Sequence, residues 1–228
     1  MNPSFPASSV KASAPPAAGR RIPVGFASPT KFAVPIPRNE PERLATLRRL
    51  EVLDTPEEHI FNEITELAAI ICGTPIAIIS LVDAERQWFK AKVGLKARET
   101  PRDVAFCAHA IMQTDLFVVP DATRDPRFAR NPLVTAEPEI RFYAGAPLVT
   151  ADQHVVGTLC VIDRVARQLK PAQKDALRKL GRQVVALLEM RRQMRELKAQ
   201  LAQATLDGEG RAKSGGKRAS HPKSSKSK

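Results

Sequence analysis

The chain of 228 residues contains three cysteines, one tryptophan and one tyrosine, and only 5% of it is aromatic. Three thiols are too few, and odd in number, for a disulfide framework. Cys72, Cys107 and Cys160 sit in apolar surroundings without metal-ligand spacing. Reduced thiols, a cytoplasmic location and no metal site are therefore expected. No apolar run is long enough to span a bilayer, because the most apolar stretch, residues 67–82, is broken by Gly73-Thr74-Pro75. The N-terminal segment lacks the apolar core of a secretory signal. The absence of a glycine-rich phosphate loop argues against nucleoside triphosphate binding.

What the chain has in excess is positive charge, 36 Lys+Arg against 24 Asp+Glu, for a net +12. A basic protein of this kind suggests a nucleic-acid or anionic-membrane partner, but the excess is confined to the ends. Residues 1–38 carry five bases and no acid, and residues 208–228 carry seven bases and one acid. The remainder, 39–207, is close to neutral. Eight of the 19 prolines also lie in the first 38 residues, among Ala and Ser and without helical or strand periodicity. Both ends are expected to be disordered, since neither buries enough apolar surface to offset ordering entropy. A weak nucleic-acid contact is expected of the basic tail alone.

The middle is organised. Asn39 and Glu42 have capping-box spacing, and Leu44, Leu47, Leu50 and Leu53 follow at helical intervals. Thr55-Pro56-Glu57-Glu58 repeats the start signal. Phe61, Ile64, Ala68 and Ile71 then mark one helical face, which Gly73 closes. Ile76–Val82 reads as a strand buried on both faces, and Gln87–Val93 as its hairpin partner. A short helix is expected over Val104–Gln113, with strands at Leu116–Pro120, Arg141–Val149 and Val155–Ile162. Residues 121–139 form a long structured loop. Five strands with short turns and helices grouped at the ends indicate an α+β domain over 39–170 with an antiparallel sheet. Residues 171–207 form one helix, roughly 55 Å if fully helical. Its Leu180, Val184, Leu187, Met190, Met194, Leu197 and Leu201 are spaced like a coiled-coil seam, which predicts a homodimer.

The runs LDTPEEHIFNEIT, PIAIISLVDAERQWFKAKVGL, ETPRDVAFCAHAI, PDATRDPRFARNPLV, IRFYAGAPLVT and VVGTLCVIDR succeed one another in this order. Together they resemble the GAF domain, in the subtype found before bacterial histidine kinases and diguanylate cyclases. The resemblance covers about residues 40–192. It implies a GAF fold: a central antiparallel sheet of five to six strands, terminal helices packed on one face, and a small-molecule cavity on the other. It also implies dimerisation through the terminal helices. The signature of cyclic-nucleotide-binding GAF domains is missing, and Cys107-Ala108-His109 differs from a bilin-attachment motif. No kinase, cyclase or response-regulator motif follows the helix.

The candidate ligand-binding residues are Trp88, Phe89, Cys107, His109, Asp121, Arg127, Phe128, Arg141 and Tyr143. Trp88 and Phe89 point to opposite faces of their strand, so one of them is expected in the core and the other near the 121–139 loop. Cys107 is either an inert buried thiol or a thiolate activated by its surroundings. Its neighbour His109 points about 200° away on a helix and does not face it. Asp121 either initiates a turn or meets a ligand. Arg127 and Arg141 suit an anion, or else pair with the acids interleaved among them. No catalytic residue and no cofactor is assigned.

The expected function is a small-molecule-sensing or regulatory module of bacterial signal transduction. It is expected to have no output domain and no enzymatic activity of its own, and to act through dimerisation and a partner protein. One alternative is a redox enzyme like the GAF-type methionine sulfoxide reductases. That group clusters its cysteines, whereas these lie 35 and 53 residues apart. A further alternative is a nucleic-acid-associated adaptor working through the tail.

Overall fold

Two N-terminal helices form; the first starts at its expected N-cap but ends before Leu50 and Leu53, and the second starts beyond its expected signal. The first, α1, is Glu40–Arg49, and the second, α2, is His59–Cys72. Asn39 occupies the N-cap of α1 without a side-chain capping bond. Glu40 instead turns inward, holding Arg43 through two hydrogen bonds of 2.7 Å and Arg102 through one of 2.6 Å. Thr55-Pro56 does not open α2. The Thr55 hydroxyl donates to the Val52 carbonyl at 2.7 Å and accepts from Lys90 Nζ at 3.1 Å. Pro56 O and Glu58 complete the shell of that buried lysine at 2.7 Å each. The segment therefore serves as a polar socket, and the helix begins beyond it. Gly73, at φ 64°, closes α2 in the left-handed conformation that a residue without Cβ adopts freely.

The computed structural model describes residues 32–215, with side chains to residue 206. Expectations for residues 1–31 and 216–228 lie outside the described residues. After α2 come β1 (Ile76–Val82), β2 (Arg86–Val93) and a short β3 (Glu99–Pro101). A 3-10 turn, Arg102–Val104, leads into α3 (Phe106–Ala110), β4 (Phe117–Val119) and α4 (Pro132–Thr135). The domain ends with β5 (Phe142–Val149), β6 (Val155–Asp163) and α5 (Pro171–Gly215). Six strands form one sheet in the order β3-β2-β1-β6-β5-β4, and every pairing is antiparallel.

Alternation along the strands divides the burial between two faces. Ala77, Ile79 and Leu81 of β1, Phe142, Ala144, Ala146 and Leu148 of β5, and Leu159 and Val161 of β6 share a core with the helices. Leu47 of α1, Phe61 and Ile64 of α2, and Leu177, Val184 and Leu188 of α5 complete it. The terminal helices therefore lie on one face of the sheet. The loop over 121–139 is shaped by turns and by α4, whose first amide is capped by Asn131: its side-chain oxygen accepts from Leu133 N at 2.9 Å.

The seam on α5 is split by its surroundings. Val184 is fully buried in the domain core, and Leu180 and Leu187 are half-buried against it. That places Val184 outside any seam between two chains. Met190, Met194, Leu197 and Leu201 are exposed, from 51% for Met194 to 68% for Leu201. The helix continues to Gly215, past its expected end at residue 207, so residues 208–215 are helical where a disordered tail was expected. No helix among the described residues is long and apolar enough to cross a membrane.

Candidate functional site

The alternation that sends Phe142 and Ala144 towards the helices sends Tyr143 to the opposite face of the sheet. Ser80 of β1 and Thr158 and Cys160 of β6 reach the same face. These hydroxyls and the thiol interrupt strands that are buried along their whole length. The segment from the 3-10 turn to β5 covers this face. Its cover is aromatic: Phe106 stacks on Phe128 with centroids 4.0 Å apart, and Tyr143 lies 5.3 Å from Phe106 and 5.9 Å from Phe117. Tyr143 and Phe128 are fully buried, as are Ser80, Thr158 and Cys160. The face implied to hold a small-molecule cavity is therefore filled with side chains.

Cys107 sits beneath this cover. The Thr158 hydroxyl donates to its sulfur at 3.2 Å and the Tyr143 hydroxyl at 3.4 Å. Burial pushes the Cys107 thiol up, but hydrogen bonds from Cys160, Thr158, Tyr143 and Ser80 outweigh burial and hold it below the ordinary thiol range. Burial pushes the Tyr143 hydroxyl well up, so it stays a donor. His109 points elsewhere: its ring packs edge-on against Phe128 at 4.8 Å. Burial, followed by the charge of Arg127, lowers its pKa. The Arg127 guanidinium forms a fork on Asp125 at 2.9 and 2.6 Å. It lies over the Phe117 and Phe128 rings at 4.8 and 5.3 Å, a cation–π lid on the aromatic cluster.

The remaining candidates do not join this cluster. Trp88 stands opposite Leu81 in the ladder and belongs to the core beneath the helices, so it forms no wall on the far face. Phe89 stands opposite Ser80 and is buried on that far face. Asp121 accepts from the backbone and hydroxyl of Thr123 at 3.0 and 2.6 Å, a turn-initiating role. Arg141 donates to the carbonyls of Val134 and Ile140 at 2.9 and 3.3 Å, which uses it to tie the loop down. Cys107, His109, Arg127, Phe128 and Tyr143 are thus brought together, while Trp88, Asp121 and Arg141 stand apart.

Sequence reasoning missed Phe106, Phe117, Ser80, Thr158 and Cys160 as members of the cluster. The available signal was a hydroxyl or thiol inside a strand apolar on both faces. Two surface grooves among the described residues, of about 340 and 380 Å³, are lined by other residues, the second by Asp115, Pro147, Arg178 and Arg182 among others. Among the described residues, no group of three or more His, Cys, Asp or Glu is placed to hold a metal ion.

A family model described as the GAF domain matches residues 56–188, more than half of the chain. A cyclic di-GMP phosphodiesterase of Pseudomonas aeruginosa is 50% identical over 133 residues, which are 58% of this chain and 23% of that protein. The chain thus spans about a quarter of the length of this curated relative. The finding corrects the expectation of a non-enzymatic protein, because a relative sharing half its residues over this stretch is named an enzyme. Among solved structures, the blue-light absorbing form of the Thermosynechococcus elongatus PixJ GAF-domain matches with a TM-score of 0.52 at 18% identity. The match covers 70% of this chain and 96% of that one. The GAF domain of an Acinetobacter phosphoenolpyruvate-protein phosphotransferase matches with a TM-score of 0.50 at 19% identity, over 65% and 93% of the two chains. At these identities the two structures support the fold alone.

Proposed function

The chain belongs to the GAF domain family, and from that footing we propose that it is a regulatory module controlling cyclic di-GMP turnover, with α5 as its output. The relative named as a cyclic di-GMP phosphodiesterase supplies the signalling system. The observation that carries the mechanism is the division of α5. Its first turns are part of the domain core through Leu177, Val184 and Leu188, while its later turns present Met190, Met194, Leu197 and Leu201 to solvent. A rearrangement of the sheet is thereby coupled to the angle or register of an exposed apolar stripe.

The stripe is the face of a homodimer. Large apolar side chains left in water favour association, each contributing about 1.5–3 kcal/mol when fully buried. Ile60, Leu67, Ile70 and Ile71 leave a second exposed apolar face on α2, which packs beside α5. Input reaches the helix from the other side of the sheet. The cluster of Cys107, His109, Arg127, Phe128 and Tyr143 is the sensing site. Displacing its aromatic cover shifts β5 and β6, against which α5 packs. Such a device needs two packings of similar free energy, selected by a ligand or partner.

The test is to express the chain in a bacterium that uses cyclic di-GMP and measure the nucleotide by mass spectrometry. Wild-type chain is expected to change the cellular level, and a Met194→Asp/Leu197→Asp chain expressed to the same level is expected not to. An unchanged level with the wild-type chain contradicts the proposal.

A further inference from the structure

Two buried thiols lie at the proposed sensing site, and their redox chemistry plays no part in the mechanism proposed for it. Cys107 is carried by α3 and Cys160 by β6, 53 residues further along the chain. That separation argued against a redox pair in the sequence, but the fold brings the two together. Thr158 and Cys160 are two residues apart on β6 and so share a face, and the Thr158 hydroxyl lies 3.2 Å from Cys107 Sγ. From the other side, the Tyr143 side chain crosses Gly145, where an added Cβ would collide with the tyrosine hydroxyl. Gly145 is the register partner of Cys160, and that same hydroxyl reaches Cys107 Sγ at 3.4 Å. Cys107 Sγ and Cys160 therefore flank the same Thr158 and Tyr143 hydroxyls on one face of the sheet. Donating to Cys107, together with burial, pushes the Cys160 thiol well up, while the donors around Cys107 favour its thiolate. A stabilised thiolate beside a protonated thiol is the arrangement that stepwise thiol oxidation uses.

We propose that Cys107 and Cys160 form a dithiol that a hydroperoxide closes into a reversible disulfide, tying α3 to β6. In the first step the Cys107 thiolate attacks one peroxide oxygen, the O–O bond breaks, and the departing alkoxide or hydroxide takes up a proton. Cys107 becomes a sulfenic acid, oxidised by two electrons, and the peroxide is reduced. In the second step the Cys160 sulfur attacks Cys107 Sγ. The S–S bond forms, the S–O bond breaks, and the leaving hydroxide takes the Cys160 proton to become water. The balance is two thiols and one hydroperoxide giving one disulfide, one alcohol or water, and one further water. Both sulfurs are closed from solvent, so the reaction waits on opening of the α3 cover, and the bond then holds that cover against the sheet. Cys72 lies across the sheet in the helix-side core, its thiol pushed up to about 11 by burial, and provides an internal control.

The experiment treats the reduced full-length chain with hydrogen peroxide under native conditions, then alkylates free thiols in denaturant and maps the peptides. The expected result is loss of two alkylation sites, a Cys107–Cys160 cross-linked peptide that dithiothreitol releases, and Cys72 still alkylated. In Cys160→Ser the same treatment leaves a sulfenic acid on Cys107 that dimedone captures. Three alkylated cysteines after treatment would overturn the proposal, as would a bridge involving Cys72 or a second chain. The wild-type peptide map decides the matter even if a cysteine variant fails to fold.

Discussion

Glu40 shows how one side chain can fasten an element. It is the first residue of α1, and its carboxylate bridges Arg43 and Arg102, both almost fully buried. Arg43 in turn donates to the Val82 carbonyl at the end of β1 at 2.7 Å. Burial raises the Glu40 carboxyl, but the two guanidinium groups outweigh burial and bring it down to about 2. Glu58 is lowered in the same way: burial is outweighed first by Lys90 and then by Arg191. A carboxylate whose pKa is depressed on folding contributes its stability above the unfolded value of 4.5, and that contribution is lost as pH falls towards the folded value. The melting temperature is therefore expected to fall as pH drops from about 4.5 to about 2. A Glu40→Gln chain is expected to melt lower than wild type at neutral pH and to lose less over that acid window, as followed by circular dichroism. Equal acid sensitivity in the two chains would remove Glu40 from the account. Little of this was legible beforehand. Glu40 and Arg102 are 62 positions apart, and helix-capping rules see only the local turn, so Asn39 and Thr55 drew attention that belonged to Glu40 and Lys90.

At the scale of elements, periodicity served strands and helices unequally. The apolar runs of β1, β5 and β6 announce buried strands, and the structure adds to them β3, a three-residue edge strand too short to carry a pattern. Trp88 and Phe89 do point to opposite faces, as alternation requires, but alternation does not say which face each one takes. The apolar spacing of α5 has a similar ambiguity. A helix packed on a sheet and a helix packed on its twin both repeat every three or four residues. Val184 belongs to the first kind of contact, while Met194 is half exposed and free for the second. Val184→Asp is therefore expected to cost about 3 kcal/mol or more in urea unfolding, because it buries a charge without a partner and removes core volume. Met194→Asp is expected to leave domain unfolding within about 0.5 kcal/mol of wild type when both are compared as monomers. A reversed order would mean that the two faces of α5 have been misassigned.

Over the whole molecule, the sequence reported the fold better than the site. Six motifs in order led to the α+β GAF architecture, because each strand and turn leaves a local pattern. The site is made by contacts between distant segments: Phe106 with Phe128, Phe117 with Tyr143, and Cys107 with Thr158. No local pattern records such pairings, and the 53 residues between Cys107 and Cys160 hide their common place in the fold. The basic ends and the near-neutral body remain distinct in the sequence, and every part of the proposed mechanism lies in the body. That mechanism depends on two chains meeting along the exposed half of α5. Sedimentation equilibrium of the full-length chain at micromolar concentration tests it most directly. The account predicts a species of twice the 25.0 kDa chain mass, reduced to the single-chain mass by Met194→Asp/Leu197→Asp with the domain still folded. A wild-type chain that sediments as a monomer would contradict it.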